Sequence, residues 1–133
     1  MLRNSLIVHS DQSLGPNKTC MNFLLRQKLN QFLVHSFIYY QLDESLIRDS
    51  QYDEICRELR ELLQTHQEEK IPYRDLAEPA LGKEASGFSI RSYPPWIIST
   101  SLHLLYQLRY REQMPFTQFL ERYGYWAQPI VNE

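Results

Sequence analysis

Two stretches with helical spacing, 22–40 and 49–66, are separated only by residues 41–48, and this closeness constrains the fold more than any other feature. In the first, Leu25, Leu29, Phe32, Leu33, Phe37 and Tyr40 recur three or four residues apart, with Gln27, Lys28, Asn30 and Gln31 opposite. In the second, Tyr52, Ile55, Leu59, Leu62, Leu63 and His66 form one apolar stripe. Ser50 followed by Asp53 predicts a capping box at its start, with Asp49 as the alternative cap. Asp53–Arg57 and Arg57–Glu61 fall at i,i+4 on the polar face, each worth about 0.2–0.5 kcal/mol. A connection this short turns the second helix back along the first, so the spacing predicts an antiparallel helical hairpin.

Around the hairpin the pattern is weaker. Residues 1–20 are poorly periodic and read as a flexible arm, with Leu6-Ile7-Val8 as its one strand-like run. Residues 67–94 are punctuated by Pro72, Pro79, Gly82, Gly87, Pro94 and Pro95, which predicts a long loop or a small β element around Gly87–Arg91. Pro95 suits the first turn of a third helix through Arg111, with Ile98, Leu102, Leu105 and Arg109 on one stripe. A fourth short helix runs from Pro115 to Tyr123, stopped by Gly124. The expectation is a mostly α fold, with residues 21–133 as one helical domain containing the hairpin 22–66.

The 133 residues are 43% hydrophobic and 13% aromatic, which suits a packed core rather than a disordered chain. A net charge of −2 gives no overall field toward nucleic acid or an anionic membrane. The charge is uneven, because residues 43–69 carry a strong excess of acids. Such a run reads as a solvated helix face, or else as a docking surface. Cys20 and Cys56 form no disulfide framework or metal-ligand pair, and no apolar run approaches the roughly 20 residues that span a bilayer. A cytoplasmic location without membrane contact is the expectation.

Chemistry concentrates at the hairpin junction. Adjacent residues on a helix point about 100° apart, so Tyr39 and Tyr40 cannot both face the core. One is left to border the groove. Asp49, Tyr52 and Asp53 share a face at the start of the next helix, where unpaired amides and the helix dipole favour an anion. An aromatic platform with two carboxylate acceptors suits a flat polar heterocycle carrying a phosphate. The plainer reading of the same residues is that both aspartates cap the helix and Tyr52 belongs to the stripe.

The stretch Tyr39-Tyr40…Asp43…Ile47…Asp49…Tyr52-Asp53, followed by Arg57-Glu58-Leu59-Arg60-Glu61-Leu62, resembles the N-terminal helical subdomain of NAD-dependent bacterial DNA ligases. That signature runs YY-x-x-D-x-P-x-I-S-D-x-E-Y-D-x-L, and the resemblance covers about a quarter of the chain. Ser45, Arg48 and Gln51 depart from it, standing where proline, Ser or Pro, and Glu are usual. The resemblance implies a pocket for nicotinamide mononucleotide or NAD, built from Tyr39, Tyr40, Asp49, Tyr52 and Asp53. By position Tyr39 would stack on nicotinamide and Tyr40 would face the phosphate. Detached hairpins of this kind look most like small phage or mobile-element proteins of DNA metabolism or host takeover.

Adenylate transfer in that family needs a lysine in K-x-D-G. Lys18, Lys28, Lys70 and Lys83 all lack that context, so the expectation is a non-catalytic accessory protein. Action in trans with a separate nucleotidyltransferase is the remaining enzymatic alternative. His9, His35, His66 and His103 have no metal-ligand spacing. Arg109, Arg111, Arg122 and Trp126, interleaved with tyrosines, suggest either a nucleic-acid surface or a protein interface. In the interface reading the protein is an inhibitor or regulator that keeps the hairpin only as a scaffold.

Overall fold

The computed structural model describes residues 18–126; residues 1–17 of the expected arm 1–20, with Leu6-Ile7-Val8, and residues 127–133 lie outside the described residues, and Lys18–Cys20 belong to the first helix rather than to an arm. The order is α1 (Lys18–Ser36) widening into a π turn (Phe37–Gln41), then α2 (Asp49–Thr65) and α3 (Arg74–Glu84). These are followed by α4 (Pro95–Leu105) with a second π turn (Tyr106–Tyr110), and α5 (Phe116–Arg122). The fold is mostly α, and no strand occurs among the described residues.

α1 is the central helix. Leu25, Leu29, Phe32, Leu33 and Ser36 are fully buried because α2, α3 and α4 all pack against it. Each large apolar side chain removed from water in this way contributes about 1.5–3 kcal/mol. The hairpin is antiparallel: Ser36 meets Tyr52 and Lys28 meets Glu58 on α2, and Asn22 meets Glu69 just past its end, so the partners advance as those on α1 recede. α2 buries Tyr52, Ile55, Leu59 and Leu63 of the expected stripe and adds Cys56, while Leu62 and His66 are only half-buried. Burial pushes the Cys56 thiol up to about 11, so it packs as a small apolar group.

Two local expectations at α2 are corrected. Arg48 is the N-cap, in extended conformation, and donates its amide to Gln51 Oε1 at 2.9 Å; neither Ser50 nor the aspartates cap the helix. Arg57 keeps the expected pair with Glu61, at 2.9 Å, but its other partner is Glu54 rather than Asp53. Both differences leave Asp49 and Asp53 without a side-chain hydrogen bond or ion pair among the described residues.

The region 67–94 is also corrected. It contains α3, whose buried face is Ala77, Ala80 and Leu81. Alanine spacing gives a faint hydropathy signal, and Pro79 lies inside the helix, where it removes one backbone bond. Arg74 anchors α3: its mostly buried guanidinium donates to the carbonyls of Leu63, His66 and Glu69 at 2.8–2.9 Å, capping the end of α2. α3 stops at Ala85, and the β element expected at Gly87–Arg91 is irregular chain with Ile90 buried. Gly87 is needed there. A Cβ would lie 2.3 Å from Ser36 Oγ and 2.6 Å from Ser36 Cβ.

The third expected helix ends early as an α-helix and continues as the π turn. Its buried side keeps Leu102 and Leu105 of the expected stripe and adds Ile97 and Ser101, while Ile98 is half-buried and Arg109 exposed. α5 starts after Pro115 and ends before Gly124, whose φ of +83° is the left-handed region that glycine tolerates.

Candidate functional site

The junction of α1 and α2 encloses a cavity of about 170 Å³, lined by Tyr39, Tyr40, Asp49, Tyr52 and Asp53 together with His35, Ser45, Leu46, Ile47 and Ser86. All five residues that the sequence singles out for a nucleotide therefore border one space. A cavity of about 150 Å³ admits benzene, so this one has room for a single six-membered ring. It is smaller than the roughly 300 Å³ at which pockets for drug-sized ligands begin.

The π turn sets the aromatic side. It buries Phe37 and Ile38 while Tyr39 is 41% exposed and Tyr40 half-buried. The rings of Tyr39 and Tyr40 meet edge to face, with centroids 4.8 Å apart and planes at 78°. Tyr52 lies 5.9 Å from Tyr39 and 6.3 Å from Tyr40, and on its other side stacks on Phe32 at 6.5 Å. Such edge-to-face pairs are each worth about 0.5–1.5 kcal/mol beyond area burial, so the aromatic wall is pre-formed.

Tyr52 belongs to the stripe and to the pocket at once. Its hydroxyl is bonded to Ser36 Oγ at 2.7 Å and accepts the Gly87 amide at 3.0 Å. Desolvation by burial pushes its pKa well above the ordinary phenol value. The Tyr52 hydroxyl is thus committed to holding the pocket floor, and only its ring remains for a ligand.

Asp49 and Asp53 stand one turn apart on α2, both exposed, and line the same cavity as the three tyrosines. Two carboxylates and three electron-rich tyrosine rings lining one cavity favour a flat cation or a donor-rich heterocycle. Of the remaining lining residues, Ser45 and Ile47 fall within the ligase-like stretch, whereas the sequence offers no route to Leu46 or Ser86. Ser45, Leu46 and Ile47 come from the irregular connection, and Ser86 arrives from beyond α3. His35 could have been found, because it lies one turn before Tyr39 on the same helix face.

Desolvation by burial lowers the His35 pKa from its ordinary 6.5, so the imidazole is neutral at pH 7. The unfolded chain then takes up this proton first as pH falls, and stability is lost in the window below about pH 6.5. The melting temperature is expected to fall between about pH 7 and 5, and to fall less steeply in His35→Gln. Identical slopes in the two proteins would assign the effect to other groups.

The remaining candidates are drawn into other contacts. Arg109 donates to the Ser45 carbonyl at 2.9 Å, Arg111 to Gln107 at 3.2 Å, and Arg122 lies 5.1 Å over the Tyr110 ring. Trp126, 74% exposed, lines a separate apolar groove of about 450 Å³ with Ile98, Leu102, Phe116 and Leu120. Among the described residues no cluster of His, Cys, Asp and Glu could hold a metal, and no helix is long and apolar enough to cross a membrane.

No curated protein and no solved structure matches the chain. Residues 22–72, which comprise nearly all of α1, its π turn, the connection and α2, match the family model of the DNA ligase-like, N-terminal NAD+-binding domain.

Proposed function

We propose that this protein is a non-catalytic, ligase-related module that binds the nicotinamide mononucleotide half of NAD. The observation that carries the reading is the convergence of Tyr39, Tyr40, Asp49, Tyr52 and Asp53 on one ring-sized cavity within the matched segment. Oxidised nicotinamide is a planar cation. Tyr39 offers it an exposed face, while Asp49 and Asp53 supply negative charge and accept hydrogen bonds from the carboxamide or the ribose. Tyr40, at the inner corner, borders the nucleotide's polar end. The pocket takes one ring, which favours the mononucleotide half over the adenosine half.

The non-catalytic part of the reading is supported by the lysine contexts, since none of the four is followed by x-Asp-Gly. The ligase resemblance supports a role in DNA metabolism or host takeover, with a phage or other mobile element as the source. A cytoplasmic site of action accords with NAD supply there.

Thermal denaturation with nicotinamide mononucleotide tests the reading. At 100 times the dissociation constant a native-state ligand adds about 2.7 kcal/mol, a rise of roughly 10 °C or more in melting temperature for a domain of this size. Reduced nicotinamide mononucleotide, which lacks the ring charge, is expected to shift it less. No shift at millimolar ligand, or a shift that survives Tyr39→Ala with Asp49→Ala, sinks the pocket.

The groove around Trp126 favours a second reading. An apolar, largely exposed surface between α4 and α5 suits a protein partner, with the hairpin as scaffold. In that case Tyr39→Ala and Asp49→Ala leave function intact and Trp126→Ala removes it.

A further inference from the structure

Residues well beyond the matched segment hold one wall of the pocket. Ser45, Leu46 and Ile47 form that wall, and they belong to a connection with no regular structure. Within the connection Asp43 adopts a left-handed φ of 59°, Glu44 donates its amide to the Ile38 carbonyl at 3.0 Å, and Ser45 Oγ donates to the Ile47 carbonyl at 2.5 Å. Its outer side is gripped from the C-terminal half. Glu44 Oε2 accepts the hydroxyls of Tyr110 at 2.5 Å and Tyr123 at 2.7 Å, and Arg109 donates to the Ser45 carbonyl at 2.9 Å.

These groups are themselves well seated. The rings of Tyr110 and Tyr123 each pack 5.2 Å from Phe119, which is fully buried, and Arg122 covers the other side of Tyr110. Arg109 and Tyr110 come from the second π turn, which projects them past the regular end of α4. Two phenols on one carboxylate oxygen make charge-assisted bonds, roughly twice as strong as neutral ones. Partly buried networks of this kind set geometry beyond their pairwise strength.

We propose that Glu44, Tyr110, Tyr123 and Arg109 form a clasp that positions the Ser45–Ile47 wall and thereby sets the pocket's affinity for the nicotinamide nucleotide. The clasp rests on the nucleotide-binding reading above. Its members touch the wall rather than the ligand, so they are positioning residues. They place the specificity of a hairpin pocket under the control of helices that the hairpin itself does not contain.

The test compares the full chain with Tyr110→Phe/Tyr123→Phe, Glu44→Ala and Glu44→Gln, by calorimetric titration of nicotinamide mononucleotide and hydrogen exchange of segment 43–48. The double phenylalanine variant and Glu44→Ala are expected to bind roughly tenfold more weakly and to exchange faster in that segment. Glu44→Gln keeps an acceptor oxygen and is expected to lie closer to wild type. Ile97→Val, a core change in α4, is the control: it lowers the melting temperature without moving affinity or exchange at 43–48. Wild-type affinity and exchange in the double variant overturn the proposal, as does an equal affinity loss in the control. If the wild type itself binds no nicotinamide mononucleotide, the nucleotide reading falls, and the clasp's control of affinity falls with it. Exchange at 43–48 then still decides whether the clasp holds the wall.

Discussion

Replacing Phe119 by alanine is expected to remove about 3–5 kcal/mol of stability. The ring is fully buried and has four aromatic neighbours, Tyr106, Tyr110, Phe116 and Tyr123, with centroids 5.2–6.0 Å away. Three of those neighbours cannot follow the lost volume inward, because their hydroxyls are fixed elsewhere. Tyr106 donates to the Met114 carbonyl at 2.7 Å, and Tyr110 and Tyr123 to Glu44. A site that cannot collapse keeps its cavity, and the cost lies at the upper end of the range. Domains of this size are stable by only about 5–15 kcal/mol in total, so the variant loses a large share. Urea denaturation should show a lower midpoint at unchanged slope. A loss below about 1 kcal/mol would mean that the aromatic cluster rearranges freely, contrary to the geometry described.

Gly87→Ala is expected to lower stability by about 2–4 kcal/mol, through overpacking and a broken buried hydrogen bond. The added methyl would meet Ser36 Oγ at 2.3 Å and come within 3.3 Å of the Tyr52 hydroxyl. Ser36 is on the central helix and fully buried, so relief requires the 86–88 segment to move away. That movement strips the Gly87 amide from Tyr52 and withdraws Ser86 from the pocket. A melting temperature lower by roughly 10 °C or more is the expected readout. Ser36→Gly in the same chain removes both clashing atoms and should restore part of the loss. A Gly87→Ala protein that melts within 2 °C of wild type would contradict the tight Ser36–Tyr52–Gly87 junction.

The hairpin was legible in the sequence because its determinants are local. Leu25, Leu29, Phe32 and Leu33, or Tyr52, Ile55, Leu59 and Leu63, repeat at the helical period, and a short connection leaves no alternative to antiparallel packing. α3 was not legible, since its buried face is alanine and a proline interrupts it; its stability comes from Arg74 and from packing on α1 and α2. The cap of α2 is ambiguous in the sequence for a related reason. Ser50, Asp49 and Asp53 are all competent caps, and the choice of Arg48 with Gln51 depends on where the connection turns extended.

The same division holds for the site. Residue types and spacing by themselves determined the hairpin and the five side chains Tyr39, Tyr40, Asp49, Tyr52 and Asp53 at its junction, because positions one turn apart share a face whatever surrounds them. Only the tertiary structure decided what those side chains are free to do. It used the Tyr52 hydroxyl for Ser36 and Gly87, left the aspartates without a capping role or an ion pair among the described residues, and added His35 and Ser86 to the lining. It also spent Arg109, Tyr110 and Tyr123 on holding the Ser45–Ile47 wall. Contacts between residues more than sixty positions apart follow from how helices pack, and no local pattern in the chain encodes them.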